Sequence, residues 1–334
     1  MKLENLYRLG VTIGIENDPR GRDAVDWDLG KSKKAFEALK PEEKDYFDPD
    51  TLWNPYSDSR MVAGDPDVEI RGILTGIDIG VAEIILADRL REKGAKIDAV
   101  LSHHPSGIGM VGLPKVMLMQ ADILAGAGVP INIGEDLIYP RHKEVEQAVF
   151  AANHYQTADS AKLLGIPLFS LHTPADNCVV TYLTKVINDK APKTVDDVLK
   201  VMKEVPEYDL ARRKGLCPKI ECGSGEKRAG KIIVEMTGGT TGSKDSWEQL
   251  ADAGVGTIIV MHIPKDHVEM AQKFHLNIVN VGHMASDSIG MNHILDRFEQ
   301  NGVEITATSG LIRVNRNPGA PPARSCPMPS SYLQ

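Results

Sequence analysis

Cysteine is scarce in this chain. There are four in 334 residues, Cys178, Cys217, Cys222 and Cys326, and none stands in C-x-x-C spacing. That excludes a zinc ribbon, a thioredoxin-type site and a disulfide framework, and fits free thiols in a reducing compartment. Aromatic residues make up only 5%, too few for a base-stacking surface. No apolar run approaches the roughly 18 residues of a membrane span. The opening stretch MKLENLYRLG has no apolar signal core, so a soluble, cytoplasmic protein is expected. Positive charge is also in deficit, with a net charge of -8 and a pI near 5.7. This argues against nucleic acid and acidic membrane surfaces as partners, and leaves metal ions and small molecules.

What is present is ordinary globular composition, 42% hydrophobic and 25% charged, in a chain long enough for a large core and about two domains. Short apolar runs read as buried strands at 70–77, 97–101, 129–133, 166–171, 231–236, 255–261, 276–281 and 303–308. Helical patterns fall between many of them, at 81–93, 114–127, 142–153, 243–253 and 287–300. Strands that are apolar throughout and alternate with helices indicate mostly parallel sheet covered on both faces. The expected architecture is α/β with two lobes. It divides into an acidic N-terminal extension (1–50), a first lobe (51–177), a helical polar bridge (178–228), a second lobe (229–312) and a Pro-rich tail (313–334).

Three turns carry the chemistry. Ser102-His103-His104-Pro105 follows the strand at 97–101, and Pro105 restricts His104 to extended geometry. Leu171-His172-Thr173-Pro174-Ala175-Asp176 follows the strand at 166–171. Val281-Gly282-His283-Met284-Ala285-Ser286-Asp287 follows the strand at 276–281 and opens a helix, with His283 and Asp287 four apart. Open α/β sheets bind ligands beyond the carboxyl ends of their strands. Taken singly, Asp176 could cap a helix, Ser286 or Asp287 could cap the next, and His172 could support a neighbouring ligand. Taken together, His103, His104, Asp176, His283 and Asp287 suit two divalent cations. Asp78, at the end of the strand at 70–77, could orient a metal-bound histidine.

Over residues 54–312 these features resemble the NIF-three-like dinuclear metal proteins, also labelled GTP cyclohydrolase I type 2-like. The marks are the segment 54–78, the Ser-His-His-Pro turn, the His-Thr-x-x-Asp turn and the Gly-His-x-x-x-acid turn. The resemblance implies two related α/β lobes with a metal pair in the cleft between them and a homo-oligomer, often a ring-shaped hexamer. It also implies that His103, His104, Asp176, His283 and Asp287 are the ligands. Two departures stand out. The family's last ligand is usually Glu, and its Trp-Asp-Asn-x-Gly motif reads Tyr56-Ser57-Asp58-Ser59-Arg60 here. Aspartate reaches one methylene less far, so whether Asp287 serves two ions or one is a question of geometry.

The expected function is a metal-dependent hydrolase, with zinc, manganese, iron or nickel all compatible with the donor set. It would act on a small molecule, a nucleotide among the candidates, with His172 and His262 moving protons. The alternative is a metal-binding scaffold acting through protein partners. Weaker features are the loop Gly238-Gly239-Thr240-Thr241-Gly242, a candidate phosphate cradle, His267 beside His262, and a basic stretch from Arg212 to Lys231.

Overall fold

A computed structural model describes residues 1–319. Among the described residues, nine strands make two sheets. The first holds β1 (Met61–Ala63), β2 (Gly72–Gly76), β3 (Ala99–Ser102), β4 (Leu168–Ser170) and β9 (Glu304–Ala307), in the order β1-β4-β3-β2-β9. The second holds β5 (Lys219–Cys222), β6 (Lys231–Glu235), β7 (Val255–Val260) and β8 (Asn277–Asn280), in the order β5-β8-β7-β6. In each sheet the edge strand, β1 or β5, runs antiparallel and the other pairs run parallel. Apart from β9 the two sheets therefore share one strand order, and the lobes are related as expected. The central strands are apolar on both faces because helices cover both. Every residue of β2 and β3 is buried.

Each sheet feeds a long helix from its β4 or β8 position, Thr173–Lys190 and His283–Gln300, and these two helices pack against each other. Gly290 makes the contact close. A Cβ there would lie 2.1 Å from the Ala175 carbonyl oxygen. This pairing joins the lobes and sets the spacing of the turns at the helix starts.

Several expectations need correcting. Residues 1–50 are not one wrapped extension. Leu3–Glu16 is a core helix, with Leu3, Leu6, Tyr7 and Val11 packed among Ile73, Leu171 and Phe298. Gly10 and Gly14 leave room for Leu171 and Pro174. By contrast, Arg22–Ala38 buries only Val25. The apolar run at 129–133 is the start of the helix Ile131–Phe150, not a strand. Five apolar residues cannot distinguish the two, and Pro130 lacks the N–H that a strand ladder uses but a helix start does not need. The stretch 178–228 is more than a bridge. Val195, Val198, Met202 and Tyr208 share a core with Val234, Ile259 and Val279 of the second sheet, and β5 is that sheet's edge. The strand at 303–308 returns to the first sheet, where β9 pairs with β2 from Gly72↔Glu304 to Thr75↔Ala307.

Of the expected tail, residues 313–319 hold to the body. Arg313 pairs with Asp296 at 2.6 Å and Glu299 at 2.9 Å, and Arg316 pairs with Glu207 at 2.8 Å. The tail from 320 on lies outside the described residues. Among the described residues no single helix is long and apolar enough to cross a membrane.

Candidate metal centre

The first turn is set by an extension of the β2–β3 ladder. The backbone N–H groups of His103 and His104 donate to the carbonyls of Gly76 and Ile77, each at 3.0 Å. The two residues lie in a bend just past β3, and their rings stay together, with centroids 4.9 Å apart. His103 is buried at 1% exposure, while the His104 side chain keeps 28%. Ser102 Oγ donates to the His104 carbonyl and tightens the turn.

The second turn begins beyond β4. His172 stands at the N-cap of the Thr173–Lys190 helix, its own N–H donating to Ser59 Oγ at 3.0 Å. Asp176 lies in the first helical turn but caps nothing. Its carboxylate is 3.5 Å from His103 Nε2 and 3.9 Å from His172 Nε2. Burial pushes the Asp176 carboxyl up to about 7, against the pull of His172 and His103.

In the third turn Gly282, at φ 97, starts the helix at His283, earlier than the expected 287. Neither Ser286 nor Asp287 is therefore its cap. His283 and Asp287 instead lie one turn apart on one face.

Asp287 is the centre of the arrangement. Its Oδ1 is 3.6 Å from His103 Nε2, and its Oδ2 is 3.6 Å from His104 Nε2 and 3.4 Å from His283 Nε2. These separations are long for hydrogen bonds but leave room for a cation between the donor atoms. Both oxygens of Asp287 and both ring nitrogens of His103 are buried with no hydrogen-bond partner among the described residues. Buried polar atoms are rarely left so, and a cation is the partner that satisfies carboxylate and imidazole together. Two triads can hold one, His103–Asp176–Asp287 and His104–His283–Asp287, and they share Asp287. The shorter acid thus faces one triad with each oxygen. A third group, His103–His104–His172, also has donor atoms close enough to share an ion.

Carboxylates behind the histidines orient them. Asp78 accepts from His104 Nδ1–H at 2.6 Å, which leaves Nε2 as the lone-pair nitrogen toward Asp287. Burial first, then His103 and His172, hold the His104 pKa down at about 4, so its imidazole is neutral, the form a metal needs. Asp58 accepts from His172 Nδ1–H at 2.8 Å and from Thr173 Oγ at 2.6 Å. Burial opposes a charge on His172, but Asp176 and Asp58 outweigh it and raise its pKa to about 9. Sequence reasoning missed Asp58. It sits in the altered Tyr56–Arg60 motif, with no strand-to-turn context to mark it.

His262 follows β7, and its ring centroid is 4.8 Å from that of His283. Burial, then His283, lowers its pKa. His262, His172, His104, Asp176 and His283 line one cavity of about 210 Å³ at the carboxyl ends of both sheets. The glycine loop 238–242 lines the same cavity but does not open a helix, which begins only at Ser246. The carbonyls of Gly238 and Thr240 are tied to Gln120 Nε2, each at 2.7 Å, and the loop does not present the helix N-terminus on which the phosphate reading rested. Arg212 and Arg213 of the basic stretch pair with Asp209 on the surface.

Asp58→Asn tests the support behind His172. If His172 helps hold the ion pair, metal affinity is expected to fall about 10- to 100-fold, read by competition with a fluorescent chelator. An unchanged affinity would confine Asp58 to packing.

Fold and site define a two-lobed α/β protein with clustered histidines and aspartates able to hold metal ions. No protein-family model matches the chain, and no curated protein does. Solved structures do match. The chain is similar to the NIF3 superfamily protein from Sphaerobacter thermophilus, at 29% identity over 76% of this chain and 92% of that one, with a TM-score of 0.69. Fold likenesses extend to reduced HcgD from Methanocaldococcus jannaschii, at 16% identity over 84% and 97% of the two chains with a TM-score of 0.49. They extend also to a Bacillus cereus protein related to NIF3, at 10% identity over 87% and 98% with a TM-score of 0.38. The chain is NIF3-like, on the strength of the first likeness and the three turns.

Proposed function

We propose that this chain is a hydrolase that works with two divalent cations, held by His103, Asp176 and Asp287 on one side and His104, His283 and Asp287 on the other. The observation that carries this is Asp287, buried, with each unpartnered oxygen facing a different set of histidines. Imidazole with carboxylate suits zinc, manganese, iron or nickel. When bound, such a pair supplies Lewis acidity, polarising a substrate oxygen and letting water ionise near neutral pH.

The chain's own residues supply the rest. Asp58 fixes the His172 ring so that Nε2 faces Asp176 and the cavity, where it can hold or pass on a proton. His262, lowered in pKa, is the second group placed to accept one. The cavity volume of about 210 Å³ suits a small molecule. A nucleotide remains among the candidates through the cyclohydrolase resemblance. The net charge of -8 weighs against nucleic acid and membrane partners. A cytoplasmic homo-oligomer, in the manner of the family's hexamers, completes the reading.

The test is metal analysis of protein purified without chelator, paired with a panel of cyclic amidines, amides and phosphoesters. About two ions per chain are expected, with turnover lost on chelation and restored by the same metal. A fully loaded protein that turns over no substrate above buffer would favour the scaffold alternative.

A further inference from the structure

Glu235 is the last residue of β6 and lines the same cavity as His104, His172, Asp176, His262 and His283. Strand alternation puts it on the sheet face of Lys231 and Ile233, toward Gln120 and Trp247. Its carboxylate has no hydrogen bond and no ion pair among the described residues. The side chain is half-buried, and that burial alone pushes its carboxyl up to about 7, with no cation or donor to offset it. Nearby groups are engaged elsewhere or uncharged. Lys231 Nζ donates to the Ala127 carbonyl. His267 accepts the Trp247 indole N–H at 3.0 Å, and burial lowers its pKa.

A second acceptor stands beside it. Both donor contacts of Gln120 go from Nε2 to loop carbonyls, which leaves Oε1 free to accept. Gly242 keeps this corner open. A Cβ there would lie 2.6 Å from Gln120 Oε1 and 3.8 Å from Glu235 Oε1. A carboxylate and an amide oxygen without donors, in the wall of a cavity, are a receptor for N–H groups. Two parallel N–H bonds to one carboxylate are the strongest form of that contact.

We infer that Glu235 is a specificity-determining residue, which takes the paired N–H edge of an amidine, guanidine or amino-substituted nitrogen heterocycle. The rest of such a molecule extends toward the histidine–aspartate cluster. As a statement about substrate it rests on the hydrolase reading, but the binding it requires does not.

The test is calorimetric titration of the full chain with benzamidine, a charged amidine, and isocytosine, a neutral heterocycle with adjacent N–H and NH2 groups. Benzamide serves as the control, since it offers a single NH2 beside an acceptor. Wild type is expected to bind at least one of the first two in preference to benzamide, and which one binds separates the charged from the neutral source. Glu235→Gln should weaken that probe at least tenfold and narrow the preference over benzamide, with metal content unchanged. Gly242→Ala, which leaves the carboxylate in place, should weaken the same probe. Equal affinity in wild type and E235Q, or no binding of either probe by wild type at millimolar concentration, would overturn the inference. Glu235-dependent binding without turnover in the substrate panel would instead count against the hydrolase reading alone.

Discussion

Asp287→Ala is expected to take the protein from about two bound metal ions per chain to none. Other ligands belong to one of the two triads, whereas Asp287 belongs to both. Removing its carboxylate leaves His103 with Asp176 on one side and His104 with His283 on the other. The first pair lacks a third donor, the second lacks both a third donor and any carboxylate, and the remaining group, His103–His104–His172, brings no negative charge of its own to help a divalent ion displace its water. His283→Ala is the comparison. It removes a donor that is 3.4 Å from Asp287 Oδ2 and absent from the His103 triad, so about one ion should remain. Elemental analysis after gel filtration reads both variants. If D287A kept two ions, the shared-carboxylate arrangement would be wrong. If H283A lost both, the two ions would be bound as one unit and not by separable triads.

Gly290→Ala is expected to destabilise the fold by about 3 kcal/mol, against the trend for glycine in a helix. Propensity alone predicts a gain of about 1 kcal/mol from this change. Packing opposes it. The new Cβ would meet the Ala175 carbonyl oxygen at 2.1 Å and its carbon at 2.6 Å. That is backbone of a neighbouring helix, which cannot rotate away as a side chain can, and overpacking costs of about 1–3 kcal/mol are ordinary even where side chains adjust. The position matters chemically as well. Asp176 directly follows Ala175, and Asp287 lies less than one turn before Gly290. Pushing the helices apart separates the two carboxylates of the His103 triad, so metal affinity should fall with stability. Urea unfolding of the metal-free protein and chelator competition measure the two effects. Stability at or above wild type in G290A would mean that the helices separate at little cost.

The three ligand turns were legible because each lies directly after a short apolar run and carries histidine or carboxylate, a local pattern that survives into the fold at β3, β4 and β8. Their supports were legible unevenly. Asp78 ends a strand, as a candidate should, and it does meet His104. Asp58 ends nothing. Its bond to His172 spans 114 residues and depends on β1 running antiparallel beside β4. The core helix Leu3–Glu16 has apolar residues at helical spacing, yet the acidic character of the first 50 residues masked it. The run at 129–133 misled because its length and composition suit a buried strand as well as a helix start.

By itself, then, the sequence determined the types of element, the alternation that makes parallel sheets, and the donors offered after each strand. These are local properties, set by side-chain period, by proline and glycine, and by what a strand end can present. The tertiary structure decided which sheet β9 joins, which helices meet at Gly290 and Ala175, and which oxygen of Asp287 faces which histidine. Those choices depend on chain segments far apart in sequence closing around a shared core, and only the packing of that core brings donors from three separate turns to one place.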